Sequence, residues 1–203
     1  TQAEVTKALN NLKEATDKLV LKKDPAIASV GTFKELKAAI NNPKVKNIQI
    51  NKNIKLTETL KVSSEKHING NGYILTADIR GKGKSSYALE FDKTTGSVSN
   101  IKITGADAAL SINGSSVTLS GKIDVSGNQV AGIIISKGSN SAKHQPKLDI
   151  TNATLLNNGE ANNKPTILEE HIASTNAPNA VVGYGQLYPH YNQKTKTQLQ
   201  RFY

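Results

Sequence analysis

The feature of this sequence that most constrains its fold is a recurrence of short apolar triplets. In each triplet two aliphatic residues flank one other residue, and Gly or Asn follows soon after, as in Ile101–Ile103, Ile123–Val125 and Leu148–Ile150. This alternation is typical of a strand with one buried face. Corresponding positions are 22, 25 and 23 residues apart: Ile101 and Ile123, Ile123 and Leu148, Leu110 and Ile133. A repeat of this length, built from two or three short strands, indicates a solenoid.

We therefore predict an all-β fold, a parallel β-helix in which each coil stacks on the one before. Alternate residues of a strand face opposite sides, so the predicted core contains Ile101, Ile103, Ile123, Val125, Leu148 and Ile150. The residues between them are expected to share one outer face: Lys102, Asp124 and Asp149. An antiparallel sandwich is the alternative, because it also has short strands and frequent turns. Its best hairpin candidate is Asn113-Gly114.

Two helices are predicted before the coils. Residues 1–21 have an apolar stripe containing Val5, Leu9 and Leu12, and residues 32–42 follow a Thr32–Glu35 capping box. An isolated amphipathic helix cannot bury its stripe, so the first helix is expected to dock on the rest of the chain or on a preceding helix. The second is expected to plug the open end of the solenoid, whose core and strand edge need a cover.

The last 43 residues lose the triplet pattern, and an irregular C-terminal cap is predicted there. A short helix is predicted over 166–174, because Thr166 and Glu169 have capping-box spacing. The sequence thus divides into a helix with its linker at 1–23, a parallel β-helix at 30–160 and a cap or extension at 161–203.

The charge limits the classes of partner. The formal net charge is +10, and Arg80 and Arg201 are the only arginines beside 24 lysines. Proteins that read nucleic acids rely on Arg for bidentate contacts, so no nucleic-acid partner is predicted. A diffuse Lys surface suits loosely held anionic polymers, and a basic surface that only keeps the protein soluble is the alternative. No apolar run is long enough to span a membrane, and no membrane insertion is predicted.

Three stretches resemble known families. Residues 1–20 resemble the helical FIVAR-type repeat of Gram-positive surface proteins. Residues 30–62 resemble the opening of the pectate lyase-like adhesive domain, with a Thr-capped helix followed by Ile-x-Ile and Ile-x-Leu strand pairs. Residues 68–75 are similar to that family's Ile-Asn-Gly-x-Gly-x-x-Leu turn.

The resemblance implies a right-handed parallel β-helix from a secreted, wall-associated protein of a Gram-positive bacterium. It also implies a module that binds glycans or host surfaces without cleaving them. Because the chain begins at Thr1 and contains no Met, we expect it to be a monomeric piece of a larger protein, with any signal peptide or wall anchor outside it.

Enzymes are the competing class, since lyases and hydrolases also use β-helices. A hydrolase needs paired carboxylates. Asp124 and Asp149 lie one coil apart and are candidates to stack, but each stands between apolar residues and is expected to point into water. The four histidines have no metal-ligand spacing, so no metal and no cofactor are predicted.

Two local groups and one strand residue are the predicted binding residues. Arg80, Lys82 and Lys84 form a cationic loop, and Lys102 lies on the outer face. Tyr184, Tyr188 and Tyr191 are candidates to stack on sugar rings. A solvated loop and a hydrophobic end cap are the respective alternatives.

Three functions follow from these predictions. The first is a non-catalytic adhesion module for anionic or neutral glycans or a host surface. The second is a structural or wall-attachment module, S-layer-like or teichoic-acid-binding. The third is a polysaccharide lyase.

Overall fold

A computed structural model describes residues 2–18, 26–81, 86–137, 145–156, 165–170, 180–183 and 199–202. These residues form two helices and many short strands. The helices are α1 (Gln2–Lys18) and α2 (Phe33–Asn41). The strands are β1 (Ile27–Val30), β2 (Asn47–Ile50), β3 (Ile54–Leu56), β4 (Leu60–Val62), β5 (Lys66–Asn69), β6 (Ile74–Ala77), β7 (Tyr87–Asp92), β8 (Thr95–Thr104), β9 (Ala108–Asn113), β10 (Ser116–Asp124), β11 (Ala131–Ser136), β12 (Lys147–Leu156), β13 (Ile167–Glu170), β14 (Val181–Val182) and β15 (Leu199–Phe202).

The strands build two parallel sheets. The first has the order β1-β2-β5-β8-β10-β12-β14, with β3 beside β6 and β6 beside β8. The second has the order β4-β7-β9-β11-β13-β15. Every strand pair between described residues is parallel, which excludes the antiparallel sandwich. Apart from the strands at the two ends, each strand pairs with strands one coil earlier and one coil later, so the fold is β-helix-like.

The register confirms two of the three predicted spacings. Ile123 lies opposite Ile101, and Ile133 lies opposite Leu110. The third is wrong, because Ile123 lies opposite Leu155 while Leu148 lies opposite Val117.

The physical reason is that β8, β10 and β12 are long strands that each contain two apolar segments. An irregularity after Thr118 separates the two segments of β10 in its pairing with β12. The predicted spacing matched the second segment of β10 with the first segment of β12, whose second segment is the weaker Ala153-Thr154-Leu155.

The core is a stack of aliphatic side chains between the two sheets. All six residues predicted to face inward are 2% exposed or less. One inward row runs through Ile48, Ile68, Val98 and Leu119 on four successive coils. Burial of each such side chain contributes roughly 1.5–3 kcal/mol, so stacking between coils is the main favourable contribution to folding.

The stripe of α1 differs from the prediction. Val5, Leu9 and Leu12 are 64–70% exposed, so these three side chains are not buried against the rest of the chain. Packing on a preceding helix stays a prediction. Thr1 and residues 19–21 of the predicted helix lie outside the described residues.

Helix α2 covers the first end of the coils, as predicted. Its capping box is complete, since the Glu35 N–H donates to Thr32 Oγ1 at 3.2 Å and the Thr32 N–H donates to Glu35 Oε2 at 3.1 Å. The helix contacts β1, β3 and β4 and buries its apolar face, Leu36, Ala39 and Ile40. It takes the place of one further coil over β3 and β4, which have no earlier strand neighbour among the described residues.

The C-terminal strands correct a second prediction. Ile167–Glu170 is a strand paired with Ile133–Ser136, not the start of a helix, because pairing with the preceding coil overrides the local capping-box signal. Residues 171–174 lie outside the described residues. Parallel pairing continues past residue 160, whereas the division of the chain into three domains stays a prediction. No helix among the described residues is long and apolar enough to cross a membrane.

A buried lysine connects the second coil to α2. Lys66 is 0% exposed, and its ammonium donates to Asn42 O at 3.2 Å, Ser64 Oγ at 2.7 Å and Glu65 O at 3.4 Å. Asn42 is the C-cap of α2, whose last turn has no basic residue of its own. The ammonium therefore lies at the negative end of the helix dipole. Burial lowers the pKa of Lys66 by more than the Glu65 carboxylate raises it.

We expect Lys66→Met to remove a pH dependence of stability. The folded-state pKa of Lys66 is below its ordinary 10.5, so in the window between these values only the unfolded chain binds the proton. The free energy of unfolding of the wild type should therefore rise with pH across that window relative to the variant, by at most about 1.4 kcal/mol per pH unit. Urea denaturation of both proteins from neutral pH to pH 10.5 measures the difference between their free energies of unfolding. A difference that stays constant or falls as the pH rises would contradict the lowered pKa of Lys66.

Candidate functional site

A groove of about 550 Å³ lies on the outside of the coils, where the strands of the first sheet bend. We call it the corner groove. Its size is within the range of pockets that bind small ligands. It is lined by Asn71, Gly72, Ile74, Asn100, Ile101, Lys102, Lys122 and Asp124.

The bend arises from left-handed backbone at corresponding places of three successive coils. Asn71, Asn100 and Gly121 have φ values of 51°, 48° and 66°. Asn and Gly accept this conformation more readily than other residues. The Gly72 N–H donates to Asn100 O at 2.7 Å, and the Lys122 N–H donates to Asn100 Oδ1 at 3.4 Å. These bonds link the three bends, so the groove runs along the axis of the coils.

Two glycines leave the bend open. A Cβ at Gly72 would meet no atom within 4 Å, and its φ of +83° disfavours any side chain. A Cβ at Gly121 would lie 2.1 Å from Asn100 Oδ1. The corner groove therefore depends on the missing side chain at 72 and on close backbone contact at 121.

One wall of the corner groove is an ion pair between neighbouring coils. Lys102 Nζ lies 3.0 Å from Asp124 Oδ2, and the Asp124 side chain is only 17% exposed. Asp124 Oδ1 accepts from the Ser126 N–H at 3.0 Å and from Ser126 Oγ at 2.6 Å. Partial burial raises the pKa of Asp124, but the hydrogen bonds from Ser126 and Lys102 together outweigh it, and the pKa is lowered. The carboxylate is therefore charged and held in place at neutral pH.

The remaining lining combines two isoleucines with several polar groups. Ile74 is half-buried and lies opposite Lys102 in the register. Asn71 Nδ2 donates to Ile50 O at 2.9 Å and to Gln49 Oε1 at 3.1 Å. An apolar patch thus lies beside amide and charged groups. The arrangement is suited to hold a ligand by several weak contacts.

The geometry does not place two carboxylates together in the corner groove. Asp124 lies opposite Lys102, whereas Asp149 lies opposite Thr118 in another row. The prediction that Asp149 shares an outer face with Lys102 and Asp124, and stacks on Asp124, is therefore wrong, for the same reason as the predicted spacing. No group of three or more potential metal ligands occurs among the described residues.

Of the other predicted site residues, the structure describes only Arg80. Its Nη2 donates to Gly127 O, two coils along the chain. The N–H groups of Gly81 and Ser86, at the two ends of the loop, point to the Asp107 carboxylate at 3.4 and 3.1 Å. Arg80 thus contacts a backbone carbonyl two coils away, and it does not line the corner groove. Lys82, Lys84, Tyr184, Tyr188 and Tyr191 lie outside the described residues.

The charges of the described coils are largely balanced between neighbours. Five Lys–carboxylate pairs connect neighbouring units. Lys37–Glu58 joins α2 to the first coil, and four pairs join adjacent coils: Lys46–Glu65, Lys55–Asp78, Lys61–Asp92 and Lys102–Asp124. The described residues hold 18 of the 26 Lys and Arg and 14 of the 16 Asp and Glu, a formal charge of +4 out of +10. A strongly basic surface is therefore not a property of the described coils.

We expect Asp124→Asn to destabilise the protein by about 1 kcal/mol at neutral pH, because it removes a partly buried ion pair and weakens the bonds from Ser126. Since the folded-state pKa of Asp124 is below 3.8, this contribution is complete above that value and disappears as the pH falls through the lowered pKa. Chemical denaturation of both proteins between pH 7 and strong acid measures the difference. Asp78→Asn is the control, because its pair with Lys55 is about two-thirds exposed and should contribute less. Equal effects of the two substitutions would contradict the special environment of Asp124.

Searches of curated proteins and of solved structures each found no significant match. The sequence model of the pectate lyase-like adhesive domain matches residues 27–196, from β1 through the corner groove to the segment before β15. This match covers most of the chain and confirms the resemblance seen in residues 30–62 and 68–75. The chain belongs to the family of pectate lyase-like adhesive domains.

Proposed function

We propose that this chain is a non-catalytic adhesion module that binds glycans through the outer face of its coils, with the corner groove as the main contact site. The observation that carries the proposal is the groove itself, a concave site built at one bend of three successive coils and lined by apolar, amide and charged groups. Membership of an adhesive family supports a binding role on an external surface.

A row of uncharged polar side chains beside the corner groove supports an extended ligand. The register places Gln49, Asn69, Ser99, Ser120 and Asn152 next to each other on five successive coils. Amides and hydroxyls both donate and accept hydrogen bonds, as sugar hydroxyls do. A chain of sugars along the coil axis would make many weak contacts, whose sum gives useful affinity.

The charge distribution favours glycans over anionic wall polymers. A teichoic-acid-type polymer needs a series of free cations, and four lysines of the described coils, Lys46, Lys55, Lys61 and Lys102, are already paired with carboxylates of the next coil. A wall-attachment role would therefore depend on the remaining lysines, eight of which lie outside the described residues.

A lyase is the less favoured alternative. The corner groove contains one carboxylate, and both oxygens of Asp124 already accept from protein groups. Of the two described arginines, Arg80 donates to the Gly127 carbonyl and Arg201 lies on β15 of the second sheet, away from the corner groove. These contacts support binding without bond cleavage.

We further propose that the coils wind in the right-handed sense and that the module acts on the surface of a Gram-positive bacterium. Right-handed crossovers join parallel strands of one sheet in nearly all proteins. The FIVAR-like residues 1–20 and the adhesive-domain match support a secreted, wall-associated protein that presents this module to glycans of a host or a neighbouring cell.

A glycan array followed by binding titrations tests the adhesion role. We expect the wild type to bind a subset of glycans at physiological salt, and Ile74→Ser to weaken that binding roughly threefold to tenfold through loss of the apolar wall. Thr76→Ala is the control, because Thr76 is an exposed residue of the same strand outside the groove lining. Circular dichroism and thermal unfolding establish that both variants are folded.

Three results would contradict the proposal. Binding to no glycan would remove the adhesion role. Binding to teichoic acid alone, falling steeply with salt, would support wall attachment. Formation of unsaturated uronate product from an acidic polysaccharide, detected by ultraviolet absorbance, would support a lyase.

A further inference from the structure

The cationic side chains of the corner groove are not equivalent. Lys102 is paired with Asp124 at 3.0 Å, so its charge is largely compensated within the protein. Lys122 is exposed, and its ammonium makes no ion pair or hydrogen bond with a described residue. The corner groove thus contains one compensated and one uncompensated lysine.

The position of Lys122 directs its charge toward the ligand. Lys122 and Asp124 are two residues apart on β10, and side chains at this spacing leave a strand on the same face. Both line the corner groove. Asp124 is committed to Lys102 and Ser126, so it is not available to compensate a second lysine. The net charge of the lining is therefore positive by one.

The positive charge is also isolated along the axis. On the next coil the register partner of Lys122 is Thr154, and on the coil before its N–H contacts the Asn100 amide. The other lining side chains, Asn71, Asn100 and the two isoleucines, are uncharged. A ligand with repeating charges would find only one matching cation, whereas a ligand with one anionic group would find its complement.

We infer that the corner groove takes a saccharide that carries a single anionic substituent, and that Lys122 contacts this substituent. The inference rests on the proposed glycan-binding function and adds the charge class of the ligand. Ile74 and the asparagine amides contact the uncharged part of the sugar. An ammonium is a compact point charge without the fixed fork of Arg, so carboxylate, sulfate and phosphate substituents are all compatible with it.

The test uses matched glycans on the full chain: lactose and N-acetyllactosamine, each with and without one sialic acid or one sulfate. We expect the wild type to bind the anionic member of a pair roughly fivefold more tightly at low salt, the upper range for an exposed charge pair. The preference should shrink as salt is raised, because the contact is accessible to screening ions. Comparison of the sialylated and sulfated forms separates a carboxylate site from a sulfate site.

Two substitutions are expected to change the preference for anionic glycans in opposite directions. A loss of folding would not produce this pattern. Lys122→Gln should remove the preference for the anionic member of each pair. Asp124→Asn should increase the preference, because it leaves Lys102 uncompensated and raises the charge of the lining. Lys147→Gln is the matched control, since Lys147 is an exposed lysine of β12 outside the corner groove and its loss should change nothing.

Several outcomes would overturn the inference. Equal affinity for neutral and anionic glycans in the wild type would show that the corner groove does not distinguish glycans by charge. The proposed glycan-binding function would still stand. A preference that persists in Lys122→Gln would place the anion elsewhere. Inhibition by inorganic sulfate at the concentration at which the sulfated glycan binds would show a simple anion site. Failure to bind any glycan would contradict both the inference and the proposed function.

Discussion

The parallel register between successive coils is the constraint on which the rest of the structure depends. Backbone groups of each coil find partners only on the coils before and after it, and the inward aliphatic side chains are buried only by the same neighbours. A solenoid of this kind is incomplete at its ends. At the first end α2 supplies the missing cover, and the ammonium of Lys66 supplies the cation that the C-terminus of this helix lacks. The cover is thus attached to the second coil as well as to the first.

The candidate site is a consequence of the same register. A single left-handed residue would only bend one strand, but Asn71, Asn100 and Gly121 bend three adjacent coils at one place. The bends align because the strands on both sides of them are hydrogen-bonded in register. Binding residues can therefore vary on the outside of the bend while the backbone that positions them is held by the core.

Much of the fold could be predicted from local patterns, because strand alternation and helix capping depend on residues that are close together in the sequence. The inward residues Ile101 and Ile123 and the capping box at Thr32 are examples.

Predictions failed where the answer depended on pairing between distant segments. Asp149 was assigned to the wrong row because the second apolar segment of β12 contains an Ala and is a weak signal. The sequence does not single out Lys122 as a binding residue, because many lysines are exposed. Lys122 differs from Lys102 only because Asp124 is paired with Lys102 in the folded structure. The nearest sequence signal was the spacing of Asn and Gly at the bends.

The five ion pairs between coils share one polarity: the lysine always belongs to the earlier unit and the carboxylate to the later one. The polarity is seen at three junctions: between α2 and the first coil, between the first and second coils, and between the coils of β8 and β10. A coil inserted at one of these junctions would need carboxylates on its N-terminal side and lysines on its C-terminal side to leave both neighbours compensated. Lengthening of the solenoid by whole repeats is therefore constrained by charge at these junctions, and not only by the fit of the aliphatic core.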